Sequence, residues 1–310
     1  MRIVAGDIGG THARLAIFDG KKLIKEHKYL SKQFSKLSDI LEDFLTEKVE
    51  RGCFGIAGPV IEGKCLATNL PWEVGAQELS QKLKIPQVFL LNDLEATAWG
   101  ISCLSNDQLL TLNAGAPQAG NRAIIAAGTG LGEAGVYWDG KTHHPFACEG
   151  GHVNFAPRDA REKKLLDYLH KKYSHVSYER VLSGPGLGHL YWFLVENGAQ
   201  KDIQDGDIPR LITEKALNGE SEVCLETLNW FMSIYGSESG NLALKFLALG
   251  GVYIAGGIAL KIAELLKSGI FMRAFVDKGR FQSLLSSIPV KVILTDDAAL
   301  LGAADYARRG

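Results

Sequence analysis

Short apolar runs open the chain at residues 2–5, 13–18 and 23–29, and they predict three strands joined as a meander. Helical spacing follows. Phe34, Leu37, Ile40, Leu41, Phe44 and Leu45 recur three and four apart and predict an amphipathic helix over 35–49. Residues 53–57 read as the next strand, stopped by Gly58-Pro59. A further apolar run at 88–91 ends at Asn92-Asp93, and a helix is predicted from Leu94 to about Ser102. Strands alternating with helices predict a mostly parallel sheet covered on both faces. The stretch 112–122, rich in Gly, Ala, Pro and Asn, is the candidate domain boundary. Beyond it come a strand over 123–127 and helices over 161–173, 186–197, 209–218 and 221–247, with Pro185 suited to a first helical turn. The uncharged stretch from Phe246 to Leu260 is too short to cross a bilayer. It reads as a buried helix end, a turn and a strand over 252–255, with a helix to follow over 258–267. A strand over 290–294 precedes a helix over 297–308, which Asp296 is expected to cap.

Composition narrows the function. The chain has 310 residues, room for two ordinary domains, with 34 Lys and Arg against 35 Asp and Glu. No basic excess points to nucleic acid. The five cysteines, Cys53, Cys65, Cys103, Cys148 and Cys224, are odd in number and widely spaced. They support neither a disulfide framework nor a zinc knuckle, and reduced thiols in a cytoplasmic protein are expected. No signal peptide or membrane span is expected.

Two glycine clusters change the picture. Gly6-Asp7-Ile8-Gly9-Gly10-Thr11 follows one apolar strand, and Gly128-Thr129-Gly130-Leu131-Gly132 follows another. In each case a second strand returns and ends at Asp-Gly, Asp19-Gly20 and Asp139-Gly140. Glycines without Cβ let backbone N–H groups converge on an anion, so a pair of such turns suits a polyphosphate. A nucleotide-dependent phosphotransferase is the leading expectation. There is no Gly-x-x-x-x-Gly-Lys-Ser/Thr loop, and a strand, not the helix that a dinucleotide fold needs, is expected after the second cluster.

Other residues are candidates for the chemistry. A buried carboxylate at Asp7 needs a partner or a ligand, and Mg²⁺ reached through water suits it. Asp93, at the carboxyl end of a strand and the start of a helix, is placed either as a base for an acceptor hydroxyl, with Asn92 orienting the acceptor, or as part of an Asn-Asp helix cap. Glu149-Gly150-Gly151-His152 has the spacing of a metal pair, but two glycines argue against a helix. A turn presenting a carboxylate and an imidazole can instead bind sugar hydroxyls. His143 and His144 read as loop residues. Glu179 by itself reads as a charge complementing a helix dipole. Gly256-Gly257 allows close approach of an adenine or ribose, or simply tight packing of strand on helix.

These segments, together with Leu91-Asn92-Asp93, Glu179-Arg180-Val181-Leu182-Ser183-Gly184-Pro185-Gly186-Leu187 and Ile254-Ala255-Gly256-Gly257-Ile258, stand in the order seen in bacterial glucokinases. The chain resembles that family, within the sugar kinase, Hsp70 and actin superfamily, over nearly its whole length. The resemblance implies an α/β, two-domain actin-like (ribonuclease H-like) ATPase fold. A smaller α/β domain, 1–112 plus 292–310, and a larger helix-rich α+β domain, 113–291, would flank a cleft. It implies ATP-dependent phosphorylation of D-glucose to glucose 6-phosphate, with Asp93 as the base. Asn69, Asn92, Gly130, Glu149, His152 and Glu179 would bind the sugar. Gly6, Asp7, Ile8, Gly9, Gly10, Thr11, Thr129 and Gly130 would hold phosphates and Mg²⁺, and Gly256 and Gly257 would border the adenosine. A cytoplasmic homodimer is expected, with Mg²⁺ and no zinc, since the CxCGxxGC motif of the zinc-containing branch is absent. One departure is His12, which stands where the family usually has Asn after the Thr. Kinases for mannose or an N-acetylated amino sugar, and a non-catalytic sugar-responsive regulator, are the alternatives.

Overall fold

The glycine cluster at residues 6–11 is the bend of a β-hairpin. Strand Arg2–Ile8 pairs antiparallel with His12–Asp19, and Gly9 N–H donates to the His12 carbonyl at 2.9 Å to close the bend. This description comes from a computed structural model that describes residues 1–68 and 70–310; Asn69, expected to bind sugar, lies outside the described residues. The chain forms two compact units. One comprises Met1–Ser105, His144–Ala147 and Thr295–Gly310, and the other Asn106–His143 and Cys148–Leu294.

In the first unit, five strands lie in the order Lys22–Leu30, His12–Asp19, Arg2–Ile8, Arg51–Ile56, Gln87–Asn92. The meander half is antiparallel, and Arg2–Ile8, Arg51–Ile56 and Gln87–Asn92 run parallel. Alternation along the strands feeds two cores. Val4, Ile8, Leu15 and Ile17 pack with Leu37, Ile40, Leu41 and Phe44 of a helix on one face. On the other, Ile3, Ala5, Phe18 and Leu91 pack with Ala96 and with Leu300, Ala303, Ala304 and Ala307 of the C-terminal helix Ala298–Arg309. That helix crosses Asp93–Gly100 so closely that a methyl group at Gly302 would meet the Ala96 carbonyl, and one at Gly100 the Ala298 carbonyl.

The helix expected over 35–49 is only Leu37–Phe44, with Leu45 already extended. Lys25 Nζ donates to the Phe44 carbonyl at 2.6 Å and satisfies a helix-end acceptor, and Glu47 just beyond pairs with Arg2. Asp296 is not the cap expected of it. The cap position of the last helix falls on Asp297, whose side chain makes no cap bond and instead pairs with Arg14 Nη2 at 2.7 Å.

The second unit repeats the scheme. Arg122–Ala127 and Leu131–Trp138 form an antiparallel hairpin around the second glycine cluster, with Gly128 N–H donating to the Gly130 carbonyl at 2.9 Å. Gly251–Ala255 and Val290–Ile293 then add in parallel, and Leu109–Asn113 closes the edge antiparallel. A hairpin followed by two parallel strands thus occurs once in each unit, which is the actin-like, ribonuclease H-like layout. The long helix Glu222–Phe246 lies on this sheet, where the buried Tyr235 hydroxyl takes an N–H from Ala127 at 3.3 Å and donates to the Ile125 carbonyl at 3.1 Å. The helix expected over 258–267 is two, Gly256–Lys261 and Ala263–Leu266. His143 and His144, expected in a loop, lie on the strand His143–Cys148.

Candidate functional site

The candidate residues fall into two sets, one on each unit. On the first, the hairpin bend is held from behind by Ser31, a buried residue whose hydroxyl donates to the Gly9 carbonyl at 2.8 Å and whose N–H donates to the Thr11 carbonyl at 3.0 Å. The bend therefore has its carbonyls engaged on one side, and Thr11 is exposed. Gly6 and Ile8 lie within the strand. Gly6 is wedged between Phe54 and Leu15, and Ile8 is in the core, so only their backbone is open to a ligand.

Asp7 pairs in register with Arg14 on one side and Gly55 on the other. Burial, and then the charge of Asp93, push its carboxyl up to about 6, while Arg14 and Lys28 pull it down and Asp296 pushes it up. Three aspartates, Asp7, Asp93 and Asp296, thus share one field. Gly55 lets the helix come down on the sheet, since a methyl group there would come within 2.8 Å of the Ala96 β-carbon.

Asn92 is the N-cap of helix Asp93–Gly100. Its Oδ1 accepts from Leu94 N–H at 2.9 Å and Glu95 N–H at 3.3 Å, and its Nδ2 donates to the Gly58 carbonyl at 3.1 Å. The cap fixes where Asp93 begins the helix. Asp93 Oδ1 accepts from Leu94 N–H at 3.0 Å.

On the second unit the structure brings together residues that lie up to 49 positions apart, from Gly130 to Glu179. Glu179 sits in the 3-10 turn Tyr178–Arg180, not in the first turn of a helix. Its Oε2 accepts from Leu131 N–H at 3.0 Å. The room for that carboxylate exists because residue 130 is glycine: a methyl group there would strike Glu179 Oε2. Glu149 precedes the 3-10 turn Gly150–His152, as two glycines dictate. The His152 ring lies between two carboxylates, with Nδ1 at 3.9 Å from Glu179 Oε1 and Nε2 at 3.9 Å from Glu149 Oε2. His175 Nε2–H donates to the His152 carbonyl at 2.9 Å and steadies the turn. Acceptors and an imidazole at this spacing are able to meet groups that donate and accept at once, as vicinal hydroxyls do.

Gly184 N–H donates to the Gly128 carbonyl at 2.8 Å and ties the second glycine bend, with Thr129, to helix Gly184–Glu196. Ser183 caps that helix through Gly186 N–H at 3.1 Å and donates to the Glu179 carbonyl at 2.7 Å, so cap and site share one residue. Gly256 has φ +90°, and a methyl group there would collide with the Ala127 carbonyl, whereas Gly257 faces open space. No group of three or more His, Cys, Asp or Glu side chains fit to hold a metal occurs among the described residues.

The glucokinase family model matches residues 4–310. The chain belongs to the glucokinase family. It is 39% identical to a glucokinase of Synechocystis sp., with 98% of this chain and 97% of that protein covered. The solved glucokinase from an Antarctic psychrotroph covers 100% of this chain and 99% of its own at a TM-score of 0.87 and 34% identity. A glucokinase from Balamuthia mandrillaris, solved in complex with glucose, shares the fold at a TM-score of 0.84 and 23% identity, over 100% of this chain and 94% of its own.

In this glucokinase-family chain His12 begins the returning strand, and its carbonyl receives the Gly9 N–H, so the backbone of the bend keeps its closure whatever side chain stands there. Sequence reasoning missed Ser31, Ser183 and Glu133. A signal existed for the last. Two places after Leu131, strand alternation points Glu133 inward, where an apolar residue is expected.

Proposed function

We propose that the chain phosphorylates D-glucose at its 6-hydroxyl with ATP, giving glucose 6-phosphate and ADP. The observation that carries the reading is the assembly of Glu149, His152 and Glu179 beside Gly130, an array of acceptors with an imidazole matched to a sugar. Membership of the glucokinase family and the relatives bearing that name support it. For Asn69 and Asn92 the proposed role is likewise the binding of sugar hydroxyls.

Asp93 is the base. As the 6-oxygen bonds to the γ-phosphorus and the bond to ADP breaks, its carboxylate takes the hydroxyl proton. Gly9, Gly10, Thr11, Thr129 and Gly130 offer N–H and hydroxyl donors to the phosphates, Gly6 and Ile8 hold the first bend through their backbone, and Gly256 and Gly257 border the adenosine. Asp7, buried and pushed up by the neighbouring charge of Asp93, is a carboxyl that a nearby cation would relieve. Asp7 would hold Mg²⁺ through water, and the ion neutralises phosphate charge when bound. The working bodies are a small domain, 1–112 with 292–310, and a large domain, 113–291, in a cytoplasmic homodimer.

The test is ADP release with and without sugar. Release is expected with glucose, at a kcat/KM above that for mannose or N-acetylated amino sugars; release without any sugar would reverse the reading. Asp93→Ala should lower kcat by about 10²–10⁴-fold and leave glucose binding measurable by calorimetry. A variant within a few-fold of wild type removes Asp93 from the role.

A further inference from the structure

Beneath the Glu149–His152 turn lies a carboxyl group with no part in the proposed phosphoryl transfer. Glu133, on the strand Leu131–Trp138, is 1% exposed. Neither of its carboxyl oxygens has a hydrogen-bond partner among the described residues. Such a group is costly in a core, and far more costly ionised than neutral. What it touches is the turn. A methyl group at Gly150 would strike Glu133 Oε2 first and would come within 3.2 Å of its Cβ, so the side chain rests against the Gly150 backbone. The next contact reinforces this: Cys148 Sγ, at the entry to the turn, donates to the Glu133 carbonyl at 3.3 Å.

We propose that Glu133 is a positioning residue for the sugar-binding turn, its carboxyl supporting Gly150 from below and so fixing Glu149 and His152 against Glu179. The inference rests on the reading that Glu149 and His152 hold the sugar.

The groups facing Glu133 are Glu238, Lys245 and Tyr235 from the helix Glu222–Phe246 and Cys148 from the segment entering the turn. Burial, and then the charge of Glu238, push the Glu133 carboxyl up to about 7, with Lys245 pulling the other way. Glu238 is itself fully buried and engaged, accepting from Lys245 Nζ at 3.0 Å and Asn241 Nδ2 at 2.8 Å, so it has nothing to offer a second carboxylate. The sign follows. Below the raised value Glu133 is neutral and the dry contact with Gly150 stands. As pH rises through it, an unpartnered charge appears beside Glu238, and relief requires water or a shift of the backbone resting on it. Sugar affinity therefore weakens with rising pH, while the donor side is spared.

The experiment is glucose KM, ATP KM and kcat from about pH 6 to about pH 8.5. Wild-type glucose KM should rise at least about threefold, approaching about tenfold per pH unit where only the neutral form binds, while ATP KM moves less. Glu133→Gln, neutral and of the same shape, should hold the low-pH KM throughout. Glu133→Ala, which leaves a void under Gly150, should raise glucose KM at every pH. Glu238→Gln, which leaves Glu133 in place, should move the midpoint to lower pH, and it serves as the test if the Glu133 variants do not fold. A Glu133→Gln enzyme that titrates like wild type, an unchanged KM in Glu133→Ala, or an unmoved midpoint in Glu238→Gln overturns the proposal. His152→Ala and Glu149→Gln separate the two readings. If they weaken glucose binding while Glu133→Gln behaves as wild type, this inference alone falls. If they leave glucose KM untouched, the sugar role of the turn falls and this inference with it.

Discussion

Gly130 shows how one missing methyl group organises a site. Glu179 Oε2 occupies the volume that a Cβ on residue 130 would fill and is pinned there by Leu131 N–H at 3.0 Å. Gly130→Ala should push that carboxylate off its donor and away from His152. Displacements of this kind cost on the order of 10- to 100-fold where positioning matters. We expect the loss mainly in glucose KM, with thermal stability little changed, read by steady-state kinetics beside a melting curve. An unaltered KM would detach Glu179 from sugar binding. In the sequence, Gly130 was legible as part of a glycine bend and Glu179 as part of a conspicuous block, but their contact was not. No local pattern links residues 130 and 179, because the contact is made by tertiary folding of a 3-10 turn. Asn92 was legible in both of its possible senses, and its side-chain bonds are those of an N-cap.

Elements are legible in the sequence where local chemistry decides them and are hidden where a distant partner does. Pro185 announces helix Gly184–Glu196, and apolar runs announce the strands Arg2–Ile8, His12–Asp19 and Arg122–Ala127. The helix from Leu37 ends early, and Lys25, from a strand, satisfies its terminal carbonyl. The last helix starts uncapped because Arg14 claims Asp297. The crossing of that helix over Asp93–Gly100 depends on two glycines in backbone contact, which helical periodicity alone does not reveal. Gly302→Ala would strike the Ala96 carbonyl and force the helices apart, and overpacking of this kind typically costs about 1–3 kcal/mol. The helix propensity gained is about 1 kcal/mol at most, so the clash wins. Urea unfolding should show the loss; a variant as stable as wild type would mean that the crossing yields freely.

At the scale of the whole molecule, the doubled layout was legible because each copy is short and local: apolar strand, glycine bend, returning strand. How the first unit is completed was not, because its last piece lies some 190 positions downstream of Ser105, at Thr295–Gly310. That piece buries Ala299, Leu300, Ala303, Ala304 and Ala307 over Ile3, Ala5, Phe18, Cys53 and Leu91. Polar ties add to it. Arg51 Nη1 donates to the Ala307 carbonyl at 3.1 Å and Arg308 Nε to the Gly20 carbonyl at 3.0 Å. A chain ending at Leu294 keeps every residue of the second unit and strips one face of the first sheet to solvent. Net stabilities are only about 5–15 kcal/mol, and each buried apolar side chain is worth roughly 1.5–3 kcal/mol when large. Uncovering Ile3, Phe18 and Leu91 and removing Leu300 is a loss as large as that whole margin. Limited proteolysis should find residues 1–105 of the truncated chain cut rapidly while 148–294 resists, and kinase turnover should vanish with Asp93 in the digested part. Equal resistance of both regions to the protease would show that the first sheet needs no cover from the end of the chain.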